Sequence, residues 1–216
     1  DKELERRGHR FARYADDFLV MVNSAKAAER VMASLTRFVE GQLKLVVNRA
    51  KSKSAPLKQC AFLGFQIGAV GKAVWTAKAY ARFKQRVREI TRRNRGHRVQ
   101  DVIDELHRYV VGWLNYFGIS HTYTGVMELT EWVRRRVRLY YWKQWKQPRT
   151  RRRHLLALGA DPKEVHMATR SRKGYWRMSS NSIVQRALNN HWLHEQGVPD
   201  MRTLWITLHY GPAARV

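Results

Sequence analysis

The stretch Arg13-Tyr14-Ala15-Asp16-Asp17-Phe18 decides the fold of the first part of this chain. It places two adjacent carboxylates between the apolar runs 11–14 and 18–22. Residues of these types favour strands, and a short polar pair between two such runs favours a tight hairpin turn. The sequence therefore predicts a β-hairpin that carries both acids at its tip.

Asp16 and Asp17 are candidate metal ligands and catalytic residues. Neighbouring carboxylates repel each other, and a divalent cation relieves that repulsion. Mg²⁺ prefers one or two carboxylates completed by water and phosphate oxygens, and paired ions stabilise both reacting oxygens of a phosphoryl transfer. The alternative is an ordinary Asp-Asp turn. The apolar flanks and the preceding Tyr14-Ala15 favour the metal-binding interpretation.

The same stretch resembles the palm motif of reverse transcriptases, in the Tyr-Ala-Asp-Asp form typical of group II intron proteins. Further blocks follow in the order of that family. Residues 41–48, with the basic turn 51–53, resemble the next palm strand, and Phe-Leu-Gly-Phe at 62–65 resembles the primer grip. Val-Gly-Trp-Leu-Asn-Tyr-Phe at 111–117 resembles the maturase-specific domain, also called domain X or the thumb, and residues 171–177 resemble its end in bacterial members.

The resemblance implies an RNA-directed DNA polymerase, a nucleotidyltransferase that uses Mg²⁺, and a maturase that assists the splicing and mobility of a retroelement. Asp16 and Asp17 would bind the metal, and four residues would lie near the primer and nucleotide. The implied partners are group II intron RNA, a template–primer RNA/DNA duplex and target DNA, in the bacterial cytoplasm. The residues near the primer would be Tyr14, Ala15, Leu63 and Gly64.

The resemblance also implies a partner region of fingers and palm that supplies another metal-binding Asp. Because such a region does not fit before Asp16, we expect the chain to be the C-terminal part of a longer protein and to be inactive alone. A non-catalytic RNA-binding splicing factor derived from such a protein is the alternative function. A reverse transcriptase with a defence role is disfavoured, because those relatives usually lack the block around Trp113.

The charge of the chain points to a polyanionic partner. The formal net charge is +25, from 42 basic and 17 acidic residues in a chain of 216. Such a surface repels itself unless it neutralises a polyanion, and nucleic acid is the favoured one. An acidic membrane is the rival, but no apolar run reaches the roughly 18 residues that a bilayer requires, so we predict no membrane partner. The single cysteine, Cys60, fits a reducing compartment.

Hydrophobic periodicity predicts an α+β fold in three parts. Residues 1–76 are expected to form a partial palm of antiparallel strands plus a helix, residues 77–147 an all-α three-helix thumb or maturase bundle, and residues 148–216 a basic extension. The first part is predicted to contain, after the hairpin, a helix over 25–40 capped by Ser24, a strand over 43–47, and a hairpin that joins 62–67 to 73–76 across 68–71.

In the helical part, apolar residues at helical spacing mark helices within 83–96, 102–117 and 126–140. The tail is predicted to hold a short helix that ends at Gly159 and another that starts at Asp161. An extended or turn segment at 174–176 and a last helix from Asn181 to His194 complete it.

Positive charge concentrates after residue 76, where 28 basic residues face 10 acidic ones, against 14 and 7 before it. The run from Arg134 to Arg153 contains no Asp or Glu, whereas a solvated helix face carries both signs. Arginine forks suit phosphate oxygens, and interleaved aromatic residues can stack on unpaired bases. The predicted nucleic-acid contacts are Lys51, Lys53, Arg82, Arg86, Arg93, Arg134, Arg135, Arg138, Lys143, Arg151, Arg152, Arg153, Arg172 and Lys173.

Overall fold

The computed structural model describes residues 1–68 and 71–211, and the chain divides into two compact units, residues 1–79 and 80–216. The predicted α+β class is confirmed, since short antiparallel sheets belong to the first unit and helices fill the second. The boundary expected after residue 76 lies close to this division. The division expected at residue 148 lies inside the second unit.

The first unit is built around the predicted hairpin. After helix α1 (Lys2–Arg6), strands β1 (Arg10–Tyr14) and β2 (Asp17–Met21) pair antiparallel, with Tyr14 opposite Asp17. Helix α2 (Ala25–Gly41) follows, and Ser24 Oγ accepts the N–H of Ala27 at 3.2 Å. The hairpin and the capped helix match the sequence-based prediction, because both depend on local signals.

A second sheet of three short antiparallel strands follows: β3 (Ala61–Phe62), β4 (Phe65–Ile67) and β5 (Ala73–Trp75). The predicted continuous strand over 62–67 is wrong, because Leu63 and Gly64 turn the chain with positive φ of 53° and 82°. Two central residues of this kind are what a type I′ hairpin requires. The pairing of 65–67 with 73–75 is confirmed; residues 69–70 of the predicted connection lie outside the described residues.

The predicted strand over 43–47 is also wrong. Lys44 has a positive φ of 56°, and the Leu45 N–H donates to the Val39 carbonyl beyond the end of α2. The segment therefore folds back against the helix terminus and pairs with no strand of the described residues. Its apolar side chains are left outside, with Val46 93% exposed.

The second unit opens with the three predicted helices. They are α3 (Ala77–Ile90), whose first residues precede the unit boundary, α4 (Val99–Phe117) and α5 (Tyr123–Gln144). The periodic residues form the core: Phe83 is fully buried, and its ring lies 4.6 Å from that of Trp113. Trp113 therefore belongs to the core, as the sequence predicts.

The tail is more helical than predicted. Its elements are α6 (Pro148–Ala157), α7 (Pro162–Thr169), α8 (Tyr175–Met178), α9 (Ser182–Ala187), α10 (Asn190–Glu195) and α11 (Met201–Tyr210). The extended segment expected at 174–176 is instead the start of α8. The single helix expected from Asn181 is wrong, because Asn189 and Asp200 each cap a new helix with a side-chain oxygen.

The tail packs against α5, so the three predicted helices are not a free-standing bundle. Helices α8 and α11 both contact α5, and Trp205 Nε1 donates to the Ser120 carbonyl at 2.9 Å. Gly118 ends α4 where a Cβ would collide with the Leu114 carbonyl and the Leu208 side chain. None of the helices in residues 1–68 and 71–211 combines the length and apolarity needed to cross a bilayer.

Candidate functional site

The hairpin tip holds Ala15 in a backbone conformation that favours glycine. Ala15 has a positive φ of 53°, and Asp16, the other central residue of the turn, does not have a positive φ. A positive φ costs a residue with a Cβ about 1 kcal/mol or more. Arg13 braces the turn, since its Nη1 donates to the Ala15 carbonyl at 2.9 Å.

Asp16 and Asp17 are both exposed at this tip. Arg13 is the nearest cation in the sequence, but its Nε and Nη2 donate to the Asp1 carboxylate at 2.7 and 2.8 Å. Neither Asp16 nor Asp17 forms an ion pair or side-chain hydrogen bond with another described residue. The two carboxylates are therefore available to a cation.

Two unpaired carboxylates on adjacent residues fit Mg²⁺, which takes one or two carboxylates and fills its other positions with water and phosphate oxygens. Among residues 1–68 and 71–211, no cluster of three or more His, Cys, Asp or Glu side chains forms a complete metal cage.

The other predicted primer-site residues lie on the two sheets of the first unit. The Tyr14 side chain is 65% exposed next to the carboxylates. Leu63 and Gly64 form the β3–β4 turn, and β3 contacts β2 of the hairpin. Lys51 is exposed, and Lys53 Nζ donates to the Gln59 carbonyl at 3.0 Å, which braces the 53–60 loop.

Two of the predicted nucleic-acid contacts in the second unit are already paired with carboxylates. Arg86 contacts Glu89 and Glu105 at 3.3 and 3.2 Å. Arg134 contacts Glu131 at 2.8 Å, and its side chain is 14% exposed.

Arg138 corrects the prediction that this arginine faces nucleic acid. It is 5% exposed, and its Nε donates to the Leu188 carbonyl at 2.9 Å while Nη2 donates to Asn190 Oδ1 at 2.8 Å. Burial lowers the pKa of its guanidinium below the ordinary value. Arg138 therefore joins α5 to the tail and cannot reach a ligand outside.

Two further arginines of α5 are also engaged by the protein. The Arg135 guanidinium carbon lies 3.7 Å from the centroid of the Trp176 ring, and Nη2 donates to the Trp176 carbonyl at 3.1 Å. Arg136 donates to Thr91 Oγ1 at 2.9 Å. Burial, with smaller contributions from Arg88 and Arg93, lowers the pKa of Arg136.

A compact group of cations surrounds Tyr175, at the start of α8. Arg93, Arg151 and Lys143 place their charged ends 5.1, 5.8 and 6.0 Å from the centroid of its ring. We call Tyr175 and these three cations the Tyr175 cluster. The three cations are among the predicted nucleic-acid contacts, but no sequence signal joins Tyr175 with positions from α5, α6 and the segment between α3 and α4.

The cations of the Tyr175 cluster have no carboxylate partner among the described residues. Arg151 also stacks 4.6 Å from the Trp142 ring, and its Nη2 donates to the Trp142 carbonyl at 3.4 Å. Its Nε is buried and donates to no acceptor in the part of the chain that the structure describes. The remaining predicted contacts are exposed: Arg82, Arg152, Arg153, Arg172 and Lys173.

Comparison with known protein families finds a match within the second unit. Residues 80–159 match the family model of the group II intron maturase-specific domain. The resemblance of this part of the sequence to the maturase-specific domain is thereby confirmed. No curated protein matches the chain.

Proposed function

We propose that this chain contributes the catalytic hairpin and the RNA-binding domain of a group II intron reverse transcriptase and maturase. The observation that carries the proposal is the match of residues 80–159 to the maturase-specific domain. It is supported by the unpaired carboxylates of Asp16 and Asp17 at a hairpin tip in the same chain. A hairpin with two acids is common in proteins of many kinds, but its combination with a maturase-specific domain favours a polymerase that handles intron RNA.

In this proposal Asp16 and Asp17 hold Mg²⁺ with a phosphate substrate. The metal would stabilise charge that develops on the oxygens of the reacting phosphate. The exposure of both carboxylates keeps them open to solvent and substrate, and Arg13 shapes the turn without neutralising them. Tyr14, Ala15, Leu63 and Gly64 lie on the same unit and would position the primer end.

The helical unit would bind the intron RNA, the template–primer duplex and target DNA through its exposed cations, mainly by backbone contacts. Such contacts position nucleic acid without reading its sequence, so selection of the intron RNA would have to rely on the shape of the RNA. The proposed setting is the bacterial cytoplasm. Polymerisation itself would require a fingers and palm region that supplies a further metal-binding Asp.

Primer extension tests the polymerase part of the proposal. We expect the chain joined to its upstream coding region to extend a DNA primer on an RNA template with Mg²⁺ but not with EDTA. The double variant Asp16→Asn, Asp17→Asn should extend the primer at least about 100-fold more slowly, because it loses the carboxylates proposed to hold the charge-stabilising Mg²⁺. Glu29→Gln, an exposed acid of the same unit, is the matched control and should keep the rate.

A splicing assay separates the two functions. RNA transcribed from the DNA that surrounds the coding region should splice at lower Mg²⁺ when the protein is added. If the Asp16→Asn, Asp17→Asn variant supports splicing and the parent protein extends no primer, the chain belongs to a non-catalytic splicing factor. If neither activity appears, the proposal is wrong.

A further inference from the structure

The Tyr175 cluster brings three positive charges to one aromatic ring, and none of them is paired with a carboxylate of the described residues. Lys143 and Arg151 come from α5 and α6, and Arg93 comes from the segment between α3 and α4. The charged ends of all three lie within 6.0 Å of one ring centroid. The aromatic face attracts each cation, but it carries no net charge. None of the three cations forms an ion pair with a described carboxylate, so the protein around the ring leaves their positive charge unbalanced.

The hydrogen-bonding capacity of the cluster is also incomplete. Arg151 Nε is buried without an acceptor, and a buried donor without a partner is unfavourable. Elsewhere in this unit, buried arginine donors are matched to protein oxygens, as Arg138 shows with Leu188 and Asn190. The three cations, which pair with no carboxylate among the described residues, therefore point to an anionic acceptor that comes from outside the protein.

The cluster is reachable from solvent. Arg93 is exposed, while Lys143, Arg151 and Tyr175 are partly exposed. Lys143 supplies a point charge and the arginines supply planar forks, a combination that suits the tetrahedral oxygens of a phosphate.

We propose that the Tyr175 cluster is a phosphate-binding site that holds one phosphodiester of a bound RNA, with the Tyr175 ring gathering the three cations around it. This inference rests on the proposed RNA-binding function and narrows it to a site. Tyr175 lies beyond the residues 80–159 that match the maturase-specific domain, so the family match does not assign this role.

RNA binding at several salt concentrations tests the site with the full chain. The probe is a fluorescein-labelled 20-base-pair RNA hairpin. Each phosphate contact adds roughly one unit to the slope of log affinity against log salt. We expect Lys143→Gln with Arg151→Gln to reduce the slope by about 1 and the affinity by about 10-fold. The control is Lys163→Gln with Arg202→Gln, which removes equal charge from exposed residues and should change the slope by much less.

Two more variants keep the test informative if the double variant folds poorly. Arg93→Gln alters an exposed residue and should reduce the slope by roughly half a unit to one unit. Tyr175→Leu leaves the charge unchanged and should lower the affinity, because the cations are no longer gathered. A Tyr175→Leu protein with full affinity, or an Arg93→Gln protein with the parental slope, contradicts the proposal.

Inorganic phosphate tests the same site without RNA. At equal ionic strength, phosphate should raise the Tm of the parent protein more than chloride does, because the anion binds the folded state. The Lys143→Gln, Arg151→Gln variant should lose most of that gain, whereas the control double variant keeps it. If both keep it, the cluster is not an anion site. If the parent binds no RNA but shows the gain, RNA binding as proposed fails, and the phosphate is then a free ion rather than part of RNA.

Discussion

At the residue scale, the arginines of α5 divide by what their guanidinium groups touch. Arg138 donates to the Leu188 carbonyl of the tail, and Arg135 stacks on Trp176. In the sequence these residues form one basic run that looks uniform. Their separate roles depend on residues about 40 to 50 positions later in the chain.

Replacement of Arg138 by leucine should destabilise the protein. The Leu188 carbonyl and Asn190 Oδ1 would lose a charged donor, at a cost of about 2 kcal/mol in the free energy of unfolding. Urea denaturation followed by circular dichroism measures this. Arg152→Leu, an exposed neighbour in the basic run, should cost less than about 0.5 kcal/mol. Equal effects from the two variants would show that Arg138 has no structural role.

Residue-scale prediction succeeded where partners are close in sequence. The hairpin around Asp16 and Asp17 can be read directly because the two acids are adjacent. The turn residues are Ala15 and Asp16 rather than the acid pair, so Asp17 begins β2 and pairs with Tyr14. The Tyr175 cluster could not be predicted, because it joins α5, α6, α8 and the segment between α3 and α4, whose packing is not evident from the sequence.

At the element scale, boundaries follow capping residues. Ser24, Asp161 and Asn181 were each predicted as helix starts, and each side chain accepts a backbone N–H of the helix that follows. The strand expected over 43–47 failed for a different reason. Its β-branched residues favour a strand only when a neighbouring strand is present to pair with, and the backbone there pairs with none.

The cap at Asp161 gives a measurable effect on one element. Its Oδ1 accepts the N–H groups of Lys163 and Glu164 at 2.9 and 3.1 Å. Asp161→Ala should lower the free energy of unfolding by about 1 kcal/mol, whereas Asp161→Asn should keep most of it because asparagine caps equally well. Thermal melts of both variants check this, and similar melting temperatures would show that the cap contributes little.

At the scale of the whole molecule, the two units differ in how fully they bury apolar residues. The second unit has a continuous core, with Phe83, Leu106, Leu129 and Leu155 fully buried. The first unit leaves large apolar residues outside, including Leu43, Leu45 and Val46. Exposed apolar surface of this kind promotes association.

Val46→Lys should therefore reduce self-association without loss of stability. The Val46 side chain is 93% exposed, so the free energy of unfolding should change by less than about 0.5 kcal/mol. Static light scattering over a concentration series measures the association. Val46→Leu keeps the apolar character and should scatter like the parent; scattering by Val46→Lys at the parental level would exclude this segment as the cause.

Because the tail packs against α5, it limits where the chain can be truncated. Similarity to the family stops at Gly159, yet the partners of Arg138, Tyr141 and Trp205 show that α5 is enclosed by later segments. A fragment that ended at Gly159 would expose the aromatic side chains of α5 to solvent. It would also leave the Arg138 guanidinium without the Leu188 carbonyl as its acceptor. The smallest stable version of this domain thus extends at least to the end of α11.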